Sequence, residues 1–182
     1  MSDRTTRRRW RGPLALGFAL GLGLVHLRKL LAQGASAVAG PWDQVLAAEH
    51  KVVMSLLDRA MDTPPQARLR RKLLLAKIEW GLSKHAYAEE TVIYPALRAL
   101  GGAGEKSLFD DHAEIKILLA SLRDRPADHP DWIEDARALK ALLETHMAEE
   151  EATVFPRLRS ALPEAQNLRL TTLLNAQSIR LA

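Results

Sequence analysis

Four histidines recur in this chain on a beat that packing alone does not require. His50 and His112 lie 62 residues apart, and His85 and His146 lie 61 apart. Two of them open matching stretches, HAYAEETVIYPAL from His85 and HMAEEEATVFPRL from His146. Aligned on the histidine, Glu89 matches Glu150, Glu90 matches Glu151, Tyr94 matches Phe155, Pro95 matches Pro156 and Leu97 matches Leu158. The segments around His50 (LAAEHKVVMSLL) and His112 (LFDDHAEIKILL) share apolar positions and an acidic residue just before the histidine. A repeat of this length is the size of one helix pair, so the chain reads as two helix pairs in tandem. Each pair supplies a lone His and then a His-x-x-x-Glu.

The helical pattern supports this division. Gly40-Pro41 breaks the chain, and a first helix is predicted from Trp42 to about residue 61, with Leu46, His50, Val53 and Leu57 on one stripe. Pro64-Pro65 separates it from a longer helix to about residue 99, whose inner face holds Leu74, Ile78, Leu82, His85, Glu89 and Val92, and whose last turns Pro95 should kink or end. The glycines Gly101, Gly102 and Gly104 mark a turn into a third helix, to about residue 123, with Leu108, His112, Ile115 and Leu119 inward. A fourth starts near Asp131, read as its N-cap, and carries Leu139, Leu142, His146, Glu150 and Val154. A last helix, about 163–180, has Leu168, Leu170, Leu173 and Leu174 as one apolar side. Short connections between four long helices predict an all-α, antiparallel four-helix bundle. In it, each histidine occupies a slot where the 3.6-residue period calls for an apolar side chain.

One core histidine would be unremarkable. Four at matched depth, two followed by glutamate one turn later, are not. A buried carboxylate without a partner is too costly to keep ionised and calls for hydrogen bonds or a cation. Residues i and i+4 share a helix face about 6 Å apart, so His85 with Glu89, and His146 with Glu150, can address one ion or adjacent ions. Imidazole and carboxylate together suit iron, with manganese or zinc less favoured, and the chain has no cysteine to build a thiolate zinc or iron–sulfur site. Two octahedral ions have about twelve coordination positions; four imidazoles, two bridging carboxylates and an oxo or hydroxo bridge leave roughly two open. Such a site would take a small ligand such as oxygen, peroxide or nitric oxide.

The order His, His-x-x-x-Glu, His, His-x-x-x-Glu over about residues 42–160 resembles the haemerythrin-like, HHE cation-binding family. The resemblance implies a helical bundle around a non-haem di-iron centre. Carried over by position, it makes His50, His85, His112 and His146 the nitrogen ligands and Glu89 and Glu150 the bridging carboxylates. Oxygen-carrying haemerythrins have a further histidine four residues on in the third helix, where this chain has Lys116. The four-histidine bacterial relatives, linked to iron, oxygen, peroxide or nitric oxide handling, are the closer match. The expected activity is binding or sensing of such a ligand, or iron handling in oxidative stress. The alternatives are a di-iron peroxidase- or catalase-like enzyme and a membrane-associated interaction protein with a structural metal. Of the neighbouring acids, Glu49, Glu90, Asp111, Glu114, Glu149 and Glu151 read mostly as solvated surface, with orientation of the imidazoles as their other use. Tyr87 and Tyr94 offer groups for redox or hydrogen-bonding roles, but the match of Tyr94 with Phe155 favours packing.

The formal charge of +4 is local. Residues 1–12 hold five arginines and one aspartate, and the rest is balanced at 21 basic and 21 acidic residues, so the body offers no nucleic-acid footprint. Residues 13–27 form an uncharged apolar run shorter than the roughly 18–20 residues a bilayer span needs. Four readings stand open for 1–39: a helix on a membrane or on a partner through Gly17-x-x-x-Gly21, a short tilted span, an exported signal with a partial twin-arginine pattern (Thr6 to Trp10), or a helix capping the domain. The expected organisation is therefore 1–39 as a membrane-directed or targeting segment, 40–162 as the metal-binding bundle and 163–182 as a helix beside it. The expected location is the cytoplasm, at the inner face of the membrane, with export as the alternative.

Overall fold

The computed structural model describes residues 40–101 and 105–180, and all regular structure among them is helical. The elements are α1 (Trp42–Met61), α2 (Arg68–Ala88), a π-helical turn (Glu89–Ile93), α3 (Tyr94–Ala99), α4 (Glu105–Asp124), α5 (Trp132–Glu149), a second π turn (Glu150–Val154), α6 (Phe155–Ala161) and α7 (Glu164–Arg180). No described helix is long and apolar enough to cross a membrane. The expectations for the N-terminal segment fall outside the described residues.

Local sequence sets most boundaries. Pro41 is the N-cap of α1, its carbonyl accepting from Gln44 and Val45 at 3.0 and 3.1 Å. Asp43 in the first turn and Arg59 in the last complement the helix dipole. Gly101 takes φ 74° just beyond α3, the left-handed conformation that glycine adopts freely at a helix end. Asp131 occupies the N-cap position of α5 but makes no capping hydrogen bond; its carboxylate instead accepts from Arg125 at 3.1 Å.

Pro95 and Pro156 do not end their helices. Each sits at the second residue of a short helix that continues the long one through a π turn. There Tyr94 N–H donates to the Glu89 carbonyl, and Phe155 N–H to that of Glu150, both spanning five residues. A proline cannot donate to the turn before it and clashes with it in a regular α-helix. The wider π turn accommodates the extra residue without breaking the helix.

Two apolar clusters bracket the histidines. The first gathers Val53, Leu57, Leu74, Ile78, Leu82, Ile115, Leu119, Leu122, Trp132, Leu139 and Leu143. The second gathers Trp42, Leu46, Val92, Ile93, Tyr94, Leu97, Leu108, Val154, Phe155, Leu158, Leu170 and Leu174. His50 falls between Leu46 and Val53, His85 between Leu82 and Val92, His112 between Leu108 and Ile115, and His146 between Leu143 and Val154. The polar layer is thus sealed from both ends by residues whose truncation to Ala costs about 2–5 kcal/mol each.

Two polar staples close the ends. At one, the buried Arg71 guanidinium donates to Thr63 O at 2.8 Å and Ala127 O at 2.7 Å, and stands 4.8 Å over the Trp132 ring. At the other, α7 docks through Asn167, which accepts from Trp42 Nε1 at 2.9 Å and donates to Arg159 O and Leu162 O at 3.0 Å each. The apolar side predicted for α7 is half correct. Leu170 and Leu174 are buried, whereas Leu168 and Leu173 are exposed because this helix touches the bundle along a narrow line only.

Candidate metal centre

All six residues singled out in the sequence meet in one layer and are buried: His50, His85, His112 and His146 are 2–4% exposed, and Glu89 and Glu150 are 0% exposed. Their ligand atoms form two overlapping groups. His50, His85, Glu89 and Glu150 make one, and His112, His146, Glu89 and Glu150 the other, with atoms in each lying within 4.8 Å of one another. The two glutamates belong to both groups and lie between them.

The imidazoles are oriented by links that run between helices. Each Nδ1 meets a carboxylate: His50 with Glu151 at 2.8 Å, His85 with Glu49 at 3.0 Å, His112 with Glu90 at 2.9 Å and His146 with Asp111 at 3.1 Å. Acceptors at Nδ1 fix the tautomer with that nitrogen protonated and leave Nε2 as a lone pair. The Nε2 atoms all point inward, with His50 and His85 only 2.9 Å apart and His112 and His146 3.1 Å apart. Four of the six acidic residues read mostly as solvated surface thus hold the histidines; Glu114 and Glu149 remain exposed. Their doubled spacing in the repeat was the available signal.

The carboxylates leave the same need. Glu89 Oε1 is 3.0 Å from His85 Nε2 and Glu89 Oε2 is 3.4 Å from His112 Nε2. Yet neither oxygen has a hydrogen-bond partner, nor does Glu150 Oε2. Glu150 Oε2 lies 3.4 Å from both His50 Nε2 and His146 Nε2. Lone pairs facing lone pairs, with orphaned buried carboxylate oxygens among them, form a pair of holes shaped for positive charge. The electrostatics agree. Without a metal ion, burial opposes a charged His85, but Glu89 and Glu49 prevail and push its pKa up to about 10, so a second proton, on Nε2, takes the place of a cation there. Burial likewise opposes a charged Glu89, but His85 and His112 hold it below the usual carboxylate range.

One residue breaks the twofold likeness. The fully buried Tyr94 hydroxyl donates to Glu150 Oε1 at 2.8 Å and lies 3.1 Å from His112 Nε2. Burial, then the charges of Glu89 and Glu150, hold its proton on. Its counterpart Phe155 stacks on His50 at 5.9 Å and cannot donate. Tyr94 therefore belongs to the site as well as to the packing, which its alignment with a phenylalanine had concealed. Lys116 points outward, 59% exposed, with Nζ 2.8 Å from Glu90 Oε1. It also borders a cavity of about 30 Å³ that reaches His85, His112 and His146 between Leu82, Ile115, Leu119 and Leu143.

Comparison with known proteins agrees with this layout. Residues 43–158 match the hemerythrin HHE cation-binding domain. The chain belongs to that family. A DNA nickase of Nostoc is 33% identical over 92 residues, which are 50% of this chain and 26% of that protein. An uncharacterized hemerythrin-like protein of Schizosaccharomyces pombe is 29% identical over 97 residues, 51% of this chain and 48% of that protein. The chain thus spans about a quarter and about half of the lengths of these two relatives. No solved structure gives a significant match.

Proposed function

We propose that this member of the HHE family is a di-iron protein that binds or senses a small ligand such as oxygen, peroxide or nitric oxide. The four long helices and the alternating order in which they cross the two apolar clusters support an antiparallel four-helix bundle. His50 and His85 would hold one ion and His112 and His146 the other, with Glu89 and Glu150 bridging. The observation that carries this reading is the convergence of four Nε2 lone pairs on three carboxylate oxygens that have no hydrogen-bond partner. Bound iron supplies Lewis-acid and one-electron redox chemistry. The chain's own residues keep that chemistry selective. The two apolar clusters exclude bulk water, the Nδ1 carboxylates keep Nε2 basic and aimed, and the cavity of about 30 Å³ beside Lys116 leaves room for a ligand of a few atoms.

Metal analysis of anaerobically purified protein, with an optical spectrum after aerobic iron loading, tests the proposal. The expected result is about two iron per chain with oxo-to-iron charge-transfer bands in the near ultraviolet. One tightly held zinc and no such bands would sink it. The nicking activity named for the Nostoc relative is not carried over, since the chain matches only a quarter of that protein.

A further inference from the structure

The outer face of α2 is built differently from that of its repeat partner, and the bundle does not require the difference. Leu69, Leu73, Trp80 and Tyr87 are 72, 56, 55 and 48% exposed. With Ala76 and Ser83 they form one narrow stripe on the helix, about 27 Å long. Moving 61 residues on, the corresponding positions of α5 hold Glu134 for Leu73, Ala141 for Trp80 and Ala148 for Tyr87, all exposed. The stripe is flanked by cations. Arg70, Lys77 and Lys84 line one edge and Arg68 and Lys72 the other, with Glu79 as the one acidic residue of α2. Arg68 is paired with Asp128, and Lys84 with Glu49 at 2.5 Å. Arg70, Lys72 and Lys77 are exposed and in no ion pair among the described residues.

We propose that the outer face of α2 docks on an anionic lipid bilayer, lying flat at the headgroup boundary. The chemistry fits such a surface at each point. Leucines and amphipathic aromatics enter the boundary between headgroups and acyl chains, while long lysine and arginine side chains reach past it to phosphates. A second copy of the chain is disfavoured, because pairing these faces would set cationic edges against each other. The N-terminal sequence adds to the same attraction with five arginines ahead of an apolar run.

Sedimentation of the full chain with phosphatidylcholine vesicles containing one-third phosphatidylglycerol tests this, against vesicles of phosphatidylcholine alone. Binding should occur only with the anionic vesicles. Lys72→Glu with Lys77→Glu should weaken it at least about tenfold, given the usual contribution of each cation near such a surface. Ala141→Glu on α5 should leave it unchanged. To separate α2 from the arginine tail, the acyl chains are brominated. In a Trp10→Phe background the other tryptophans, Trp42 and Trp132, are buried at 0 and 1% exposure, so quenching that disappears on adding Trp80→Phe places α2 in the bilayer. Undiminished quenching on adding Trp80→Phe, binding unaffected by the double charge reversal while circular dichroism shows intact helix, or no vesicle binding at all would overturn the proposal.

Discussion

The two halves of the molecule, α1 to α3 and α4 to α6, agree where they face the centre and diverge elsewhere. Both place a His, then a His-x-x-x-Glu, then a π turn and a proline, in the same order and at the same depth. Away from that layer the pairing lapses. Arg71 matches Trp132 yet the two stack on each other, Met54 matches Lys116, and Leu73, Trp80 and Tyr87 outside α2 correspond to acidic or small residues outside α5. Similarity is kept where lone pairs must converge on one point and relaxed where a side chain need only fill space or meet water. Tyr94 against Phe155 is the difference that touches the inner atoms directly, so it is where the two half-sites should first cease to be equivalent.

Removing a carboxylate shared by the two groups tests the likeness most severely. Glu89→Ala and Glu150→Ala should each lose at least one metal per chain, measured by elemental analysis, since both groups of ligand atoms include both residues. Loss from one variant and not the other would mean that only one glutamate bridges.

Next in size are the Nδ1 carboxylates. Glu49→Gln, Asp111→Asn, Glu90→Gln and Glu151→Gln should weaken metal binding about 10–100-fold in competition titrations. The sharper content is pairwise: Glu49 should behave like Asp111. Glu90, already shared with Lys116, should differ from the unshared Glu151.

A smaller effect should follow from Tyr94→Phe. Hydrogen bonds to a charged group contribute about 1.5–3 kcal/mol, so the wild-type chain should fill its two half-sites with affinities differing by about tenfold or more. The variant should fill them together, read as the merging of two Mössbauer doublets into one. Two doublets persisting in Tyr94→Phe would place the inequivalence elsewhere.

The smallest change is expected from Lys116→Met, which copies the residue of the other half. Its ion pair with Glu90 is largely exposed and such pairs are worth about 0–1 kcal/mol. Metal affinity should move by no more than about fivefold, and a larger loss would show that the ammonium supports His112 through Glu90.

The centre was legible because its constraint is local and doubled. A histidine in an apolar slot and a glutamate one turn later can be read on a single helix, and the repeat rules out coincidence. The holders of the histidines were less visible, because Glu90 and Glu151 lie about 100° further round their own helices and reach to a different one. A helical wheel places such residues in solvent. The π turns escaped for a related reason: Pro95 and Pro156 mark a disturbance, but the hydrogen-bond register that absorbs it leaves no residue signature of its own. On α7, spacing could identify apolar residues but not how narrow the contact would be, so Leu168 and Leu173 were expected to be covered and are not.

The links at Nδ1 also have a direction. Glu49 of α1 holds His85 of α2, Glu90 after α2 holds His112 of α4, Asp111 of α4 holds His146 of α5, and Glu151 after α5 holds His50 of α1. They make a closed circuit around the bundle axis in which every long helix grips one neighbour and is gripped by another. A helix in such a circuit cannot swing aside by releasing one contact; it must break two, on opposite flanks, at once. Exchange of a bound ion should therefore keep pace with the slow opening of the whole bundle, and a captured ion should outlast many encounters with a competing chelator.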